Sequence, residues 1–253
     1  SNPMTAYSKK LIIFDLDGTL APSKCAIDAD MSALITRLIE TKKVAIISGG
    51  GYPQFQNQVI NMLPHGNHNF TNLILMPASG ARMYAWKGSW NEQYAEHLSN
   101  KEKEKIMIAL NTALKQAAYE QPATTYGPLI EDRGSQITFS ALGQNAPIAV
   151  KATWDPDDAK RRKIISFLEQ RIPEFDVRIG GTTSIDITKK GINKGYAIRR
   201  LESYLNMSLD EMVFIGDKLF PGDNDYPAKA TGIDCIPVTG PEDTKKLIQG
   251  WLA

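Results

Sequence analysis

Leu11-Ile12-Ile13-Phe14-Asp15-Leu16-Asp17-Gly18-Thr19 is the stretch whose reading decides the fold. An apolar run bounded by charge and glycine makes a short buried strand. Asp15 and Asp17 then leave its carboxyl end together, and in an open α/β sheet that end is where ligands bind. Two carboxylates so placed repel each other unless a cation or a shared proton relieves them. Mg²⁺ suits the position, because it takes oxygen ligands and keeps waters and phosphate oxygens in its shell. Gly18 permits a sharp turn, and Thr19 offers a hydroxyl and an amide to an anion. The arrangement suits a carboxylate nucleophile. Taken alone, the same residues also fit a plain Asp-Gly turn in which Asp15 only caps the strand.

Working outward, the pattern of buried strand and ligand-ready loop repeats. Residues 28–43 carry Met31, Leu34, Ile35, Leu38 and Ile39 at helical spacing, and 43–47 is a strand that empties into Ser48-Gly49-Gly50-Gly51. A small hydroxyl with free amides after a buried strand suits a phosphate, so Ser48 and Gly49 are candidates for that role, with a glycine-rich turn as the other reading. A helix over 52–62 and a strand over 72–77 follow. Much later, Gly191-Ile192-Asn193-Lys194-Gly195 opens a helix over 196–205. A lysine at that position can sit near an anion by charge and by helix dipole, or can simply be solvated. A strand over 211–215 then ends in Gly216-Asp217-Lys218-Leu219-Phe220-Pro221-Gly222-Asp223-Asn224-Asp225. Its acids face the same sheet edge as Asp15, and Asp217 is the first choice for a metal ligand, with Asn224 and Asp225 as second choices. A strand over 233–238 and a helix over 241–251 end the chain.

Between these stretches the texture changes. Residues 83–90 alternate like a hairpin, 100–120 make a long amphipathic helix, and strands are expected over 136–142, 147–152, 177–179 and 183–188, with a helix over 156–171. Hairpins mixed with helices indicate an antiparallel α+β unit. The expected organisation is therefore a Rossmann-like core with a parallel sheet flanked by helices (1–84 and 188–253) and an inserted α+β domain (85–187).

Composition narrows the function classes. With 253 residues, one large domain or a core with an insertion is expected, and 29 basic against 28 acidic residues give no broad field for nucleic acid or an anionic membrane. No apolar run approaches the roughly 20 residues of a membrane helix. Cys25 and Cys235, the only two cysteines, lack metal-ligand spacing, and with no signal-like segment a reducing cytoplasm is expected. Ser1-Asn2-Pro3 before Met4 reads as an expression remnant without function.

Asp15-Leu16-Asp17-Gly18-Thr19 after a hydrophobic strand resembles the signature loop of the haloacid dehalogenase superfamily, and Ser48, Lys194 and Asp217 match its further motifs in order. The resemblance implies an aspartyl phosphate on Asp15, with Asp17 protonating the leaving oxygen and later activating the acceptor. It further implies that Thr19, Ser48, Gly49 and Lys194 hold the phosphate, and that Asp15, Asp17, Asp217 and Asn224 or Asp225 serve Mg²⁺. The position and mixed character of the insertion resemble a C2 cap of the IIB branch. Within that branch the loop 216–225, the segment Glu131-Asp132-Arg133 and the stretch Gly180-Gly181-Thr182-Thr183-Ser184-Ile185-Asp186 are similar to eukaryotic-type phosphomannomutases. By that resemblance Arg133, Ser184 and Asp186 contact a hexose phosphate, and a homodimer through the cap is implied.

The departures set the functional expectation. Where that family grips the second phosphate of a hexose bisphosphate with further arginines, this chain has Gln144 and Lys151, and Lys24 stands where the core loop has another. Lysine is a point charge and glutamine is neutral, so neither reproduces a guanidinium fork. A weaker clamp loses a bisphosphate intermediate to water. The sequence therefore favours a Mg²⁺-dependent sugar-phosphate phosphatase, with phosphomannomutase as the alternative and a non-catalytic phosphate-ligand binding protein as a third reading. Other cap cations in the place of the missing arginines would favour the mutase.

Overall fold

The computed structural model describes residues 2–66 and 68–253, the side chain of Met4 excepted, so Ser1 of the expected remnant lies outside the described residues. A one-turn helix α1 (Pro3–Ala6) precedes β1 (Leu11–Asp15), α2 (Ala29–Leu38), β2 (Lys43–Ile47), α3 (Tyr52–Gln58), β3 (Leu73–Met76), β4 (Arg82–Trp86) and β5 (Trp90–Ala95). The next stretch holds α4 (Asn100–Gln116), β6 (Ile130–Asp132), β7 (Gln136–Ser140), α5 (Ile148–Trp154), α6 (Ala159–Arg171), β8 (Phe175–Gly180) and β9 (Ser184–Lys189). The chain closes with α7 (Lys194–Leu205), β10 (Met212–Gly216), α8 (Tyr226–Lys229), β11 (Asp234–Pro237) and α9 (Pro241–Leu252). Two compact units result, one from residues 1–95 and 193–253, the other from 96–192.

The first unit is built on a seven-stranded sheet in the order β11-β10-β1-β2-β3-β4-β5. The strands from β11 to β3 pair in parallel. Strands covered on both faces read as unbroken apolar runs, which is why 11–14, 44–47 and 212–215 show no alternation. Ile12, Phe14, Val44 and Ile46 pack on one face with Met31 and Ile35 of α2 and with Ile248 and Trp251 of α9. Leu11, Ile13, Ala45 and Ile47 pack on the other with Ala197, Ile198 and Leu201 of α7. The β4–β5 hairpin belongs to this sheet, β4 running antiparallel to β3 with Ile74 opposite Ala85. The insertion therefore begins at Glu96 and ends at Ile192 rather than at the expected 85 and 187. The aromatic alternation of the hairpin reports its amphipathic strands, not the sheet they join.

The inserted unit is a four-stranded antiparallel sheet, β6-β7-β9-β8, with α4 and α6 on one face. Ile137, Phe139, Ile179, Ile185 and Ile187 meet Ile106, Leu110, Ile164 and Leu168 of those helices. Ser99 caps α4 in a reciprocal box with Glu102, each satisfying the other's backbone N–H. Residues 147–152, expected as a strand, are instead helical: Pro147 sits at the N-cap with φ −60°, and Ile148–Trp154 follows as α5. Proline pre-sets the dihedral of a helix start and its lost N–H costs nothing there. The segment even inverts the usual burial, with Ile148 and Val150 exposed and Lys151 buried. No helix among the described residues is long and apolar enough to cross a membrane.

Candidate active site

Because β10, β1 and β2 are adjacent and parallel, the loops that begin at Asp217, Asp15 and Ser48 open at one edge of the sheet. The Asp15 carboxylate is buried, its Oδ1 accepting from Lys194 Nζ at 2.5 Å and its Oδ2 from the Thr19 hydroxyl at 3.2 Å. Lys194 is equally buried and donates also to Asp225 Oδ1 at 2.6 Å. Asn193 caps α7 by accepting from Tyr196 N–H, which fixes Lys194 in the first turn. Asp225 spends its other oxygen on the Lys218 N–H at 3.1 Å and so closes its own loop. Asp15, Asp217 and Asp225 offer carboxylate oxygens that all lie within 4.8 Å of one another.

Two glycines make these close approaches. A Cβ on Gly18, whose φ is +83°, would lie 2.2 Å from Asp217 Oδ2, and one on Gly216 would lie 2.5 Å from Asp225 Oδ2. Both acids thus occupy space that only glycine leaves free.

The electrostatics follow from three acids facing one lysine. Burial, with the charge of Asp217, raises Asp15 to about 7 against the opposing pull of Lys194. Burial and the charge of Asp15 raise Asp225 to about 6, and burial likewise raises Asp217. Burial acts to lower the Lys194 ammonium, but the charges of Asp15 and Asp225 outweigh it and hold the group above its ordinary value. With every acid ionised the cluster carries an excess negative charge that one ammonium cannot balance. On the same loop as two of the acids, Asn224 Oδ1 is buried with no hydrogen-bond partner. Crowded carboxylates and an unmet amide oxygen form a donor set that fits a hard divalent cation.

Asp17 is not in that cluster. Its Oδ1 accepts from the Lys24 N–H at 3.0 Å and from Gln58 Nε2 at 2.9 Å. Its side chain is therefore directed by the loop and by α3 rather than by the other acids, which differs from the expected metal set. Lys24, expected to meet substrate, contributes its main chain here and adopts φ +62°. Gln58 was not legible as a site residue. It is 4% exposed and also donates to Cys25 O at 2.8 Å, yet in sequence it is one more polar residue on an amphipathic helix.

Ser48 is buried, and its Oγ accepts from Gly50 N–H at 3.1 Å while Gly49 lies between them. The turn after β3 braces this loop, with Ala78 N–H donating to Gly50 O and Ser79 N–H to Ser48 O. Ala78, Ser79 and Gly80 all have positive φ (52°, 58° and 90°). A Cβ at Gly80 would meet the Ala197 Cβ at 2.3 Å, so the turn seats directly on the helix that carries Lys194. Two non-glycine residues held left-handed are costly and require such support.

The inserted unit sets Ser184 and Asp186 on the sheet face opposite α4 and α6. Ser184 and Asp186 lie on β9, Thr138 donates to Asp186 Oδ1 at 2.9 Å, and Ser140 and Ser184 share a hydrogen bond of 2.9 Å. Gln144 donates to Ser140 Oγ at 2.7 Å, and Gln136 to Thr138 Oγ1 at 3.0 Å. Arg133, just beyond β6, is buried and donates to Glu131 at 3.0 Å. Lys151 is buried on α5. Arg161, 1% exposed, bonds Asp155 at 2.8 Å and the carbonyls of Gly180, Gly181 and Ser184, and so fixes the turn leading into β9.

Residues 12–227 match a family model described as haloacid dehalogenase-like hydrolase. The chain is 26% identical to a probable phosphomannomutase of Caenorhabditis elegans, covering 98% of this chain and 97% of that protein. It is also 26% identical to the phosphomannomutase of Galdieria sulphuraria, covering 97% and 96% respectively, and to that of Spinacia oleracea, covering 96% of each. Among solved structures, IMP-nucleotidase of Plasmodium falciparum aligns with a TM-score of 0.71 at 16% identity, covering 98% of this chain and 70% of that one. A haloacid dehalogenase-like hydrolase from Bacteroides thetaiotaomicron aligns with a TM-score of 0.60 at 16% identity, covering 96% and 99%. At such identities the structural matches establish the fold alone.

Proposed function

The chain belongs to the haloacid dehalogenase-like hydrolases, and from that footing we propose that it is a Mg²⁺-dependent phosphomannomutase, interconverting mannose 1-phosphate and mannose 6-phosphate through an aspartyl phosphate on Asp15. The observation that carries this reading is the buried contact of Lys194 with both Asp15 and Asp225, at 2.5 and 2.6 Å, beside Asp217 at the carboxyl edge of the sheet. A carboxylate there attacks phosphorus in line while the Lys194 ammonium offsets charge on the equatorial oxygens. The Thr19 and Ser48 hydroxyls and the Gly49 amide are the donors to the phosphate oxygens.

Asp17 works on the sugar oxygen. Both of its hydrogen bonds fall on Oδ1, so Oδ2 carries the proton to the departing hydroxyl and takes one from the hydroxyl that attacks next. Asp15, Asp217, Asp225 and Asn224 would hold Mg²⁺, which when bound supplies charge neutralisation for the transferring phosphoryl group. On the inserted unit, Arg133, Ser184 and Asp186 recognise the hexose. Full-length similarity to phosphomannomutases supports transfer to sugar over transfer to water.

A sugar-phosphate phosphatase is the second reading, favoured by one observation: Gln144 is neutral and already bonded to Ser140. The two separate in one experiment. With Mg²⁺ and mannose 1-phosphate, the mutase forms mannose 6-phosphate only when the hexose bisphosphate is supplied, whereas the phosphatase releases inorganic phosphate without it. Asp15→Asn removes either activity, by about a thousandfold or more when the nucleophile itself is lost. Retention of turnover in that variant overturns both readings, and a protein that binds ligand without turnover before and after the change is a binding protein.

A further inference from the structure

The polar face of the inserted sheet holds a charged group, Arg178, whose hydrogen-bonding capacity is not met. Arg178 lies on β8 opposite Asp186, on the face shared with Thr138 and Ser184. Its neighbours Val177 and Ile179 turn to the helix side. Its Nη1 is buried and donates to nothing, the nearest recorded acid being Asp176 at 3.8 Å. Its Nη2 reaches only the Thr188 hydroxyl, at 3.3 Å.

Asp186, across the strand pair, lends opposite charge but no hydrogen bond. Asp186 Oδ1 takes the Thr138 hydroxyl, and its Oδ2 lies 2.5 Å from where a Cβ on Gly180 would be. Asp176 Oδ2 takes the Gly191 N–H at 2.7 Å. The side chain is 16% exposed, so water does little of the work that neighbours leave undone. Burying a cation with unused donors is unfavourable unless an anion arrives to meet it. A planar fork of N–H donors matches phosphate oxygens in particular.

We infer that Arg178 is the inserted unit's second anion-binding residue, taking the non-transferring phosphate of a hexose bisphosphate while Arg133 serves the same floor from the far strand. The assignment rests on the mutase reading, which requires a bisphosphate to be retained. It also supplies a cation that the sequence lacks at Gln144. Arg178 escapes notice in sequence because Asp176-Val177-Arg178-Ile179 reads as an ordinary strand with a solvated charge.

The test is calorimetric titration of Asp15→Asn protein, which leaves ligand intact, with glucose 1,6-bisphosphate and with glucose 1-phosphate in Mg²⁺. Adding Arg178→Gln is expected to weaken the bisphosphate about tenfold or more beyond its effect on the monophosphate, with Arg178→Lys recovering part of the difference. Thermal unfolding at the parent temperature certifies that the variants fold. An unchanged ratio of the two affinities overturns the inference. The underlying chemistry is scored separately, by Mg²⁺-dependent release of p-nitrophenol from p-nitrophenyl phosphate with Asp15 intact. Turnover there with an unchanged affinity ratio refutes Arg178 alone; turnover there with no binding of either sugar phosphate refutes Arg178 and the sugar substrate together.

Discussion

Lys194→Met tests the centre of the structure. The ammonium lies 2.5 Å from Asp15 and 2.6 Å from Asp225, all three side chains being at most 4% exposed. At an effective dielectric of about 20, each contact represents roughly 6 kcal/mol of gross attraction. Most of that is offset by the cost of holding the ions away from water. What truncation exposes is the uncompensated remainder, and removing one partner from a buried pair costs about 3–5 kcal/mol. Methionine keeps the length and the apolar stem, so packing loss is minor and the figure reports charge. Urea unfolding of chelated protein at pH 7.5 measures it. A double variant with Asp225→Asn removes one of the two stranded acids and is expected to recover about 1–2 kcal/mol. A loss below about 1 kcal/mol for the single variant, with no recovery in the double, would show that Lys194 is solvated and that the convergence of these residues is wrong.

Stability should also depend on pH in a direction the buried acids fix. Asp15 is raised from 3.8 to about 7 and Asp225 to about 6, burial being the largest cause. The folded state then keeps protons between about pH 4 and 7 that the unfolded chain has released, so chelated protein loses stability as pH rises through that window. For Asp15 alone the effect is about 4 kcal/mol. The thermal midpoint is therefore expected to fall between pH 5 and 7.5, and added Mg²⁺ to restore more at 7.5 than at 5; a flat profile in chelator contradicts this. Gly18→Ala should strain the signature loop by about 1–2 kcal/mol, because its φ is +83°. It should also push Asp217 aside, since the new Cβ would lie 2.2 Å from its Oδ2. The Mg²⁺ concentration needed for half-maximal stabilisation is expected to rise about tenfold, and no change would free Asp217 from the metal.

What the sequence made legible was what local pattern controls. Leu11 to Phe14, Val44 to Ile47 and Met212 to Ile215 are apolar without alternation because parallel strands are covered on both faces. Their carboxyl ends had to open at one edge, the edge where Ser48 also lies, which brought Asp15 and Asp217 within reach of each other from positions about two hundred residues apart. Long-range choices were not legible. Nothing in Met83-Tyr84-Ala85-Trp86 says that the hairpin it opens joins Ile74 and Leu75 of β3 rather than the strands of the inserted unit. Ile148 and Val150 carry strand propensity, but the local start set by Pro147 overrides it. Asp17 is oriented by Gln58, 41 residues away, a contact that no spacing rule anticipates.

The inserted sheet shows why alternation by itself misleads about function. Gln136-Ile137-Thr138-Phe139-Ser140 alternates as a strand with one wet face should, yet every one of its residues is buried. Ordinary solvation would leave Gln136, Thr138 and Ser140 free to bond water. Instead each is bonded to another side chain of the same face, in chains that run from Gln136 through Thr138 to Asp186 and from Gln144 through Ser140 to Ser184. Networks of this kind are fixed by their own bonds, so the hexose of the proposed reaction would meet hydroxyls and a carboxylate whose positions are already set. The same face leaves Arg178 Nη1 without a partner. A floor whose neutral groups are bonded to one another while one guanidinium N–H is left unmet is what the proposed anion on a polyhydroxylated carrier would require, and the prediction for Arg178→Gln turns on that asymmetry.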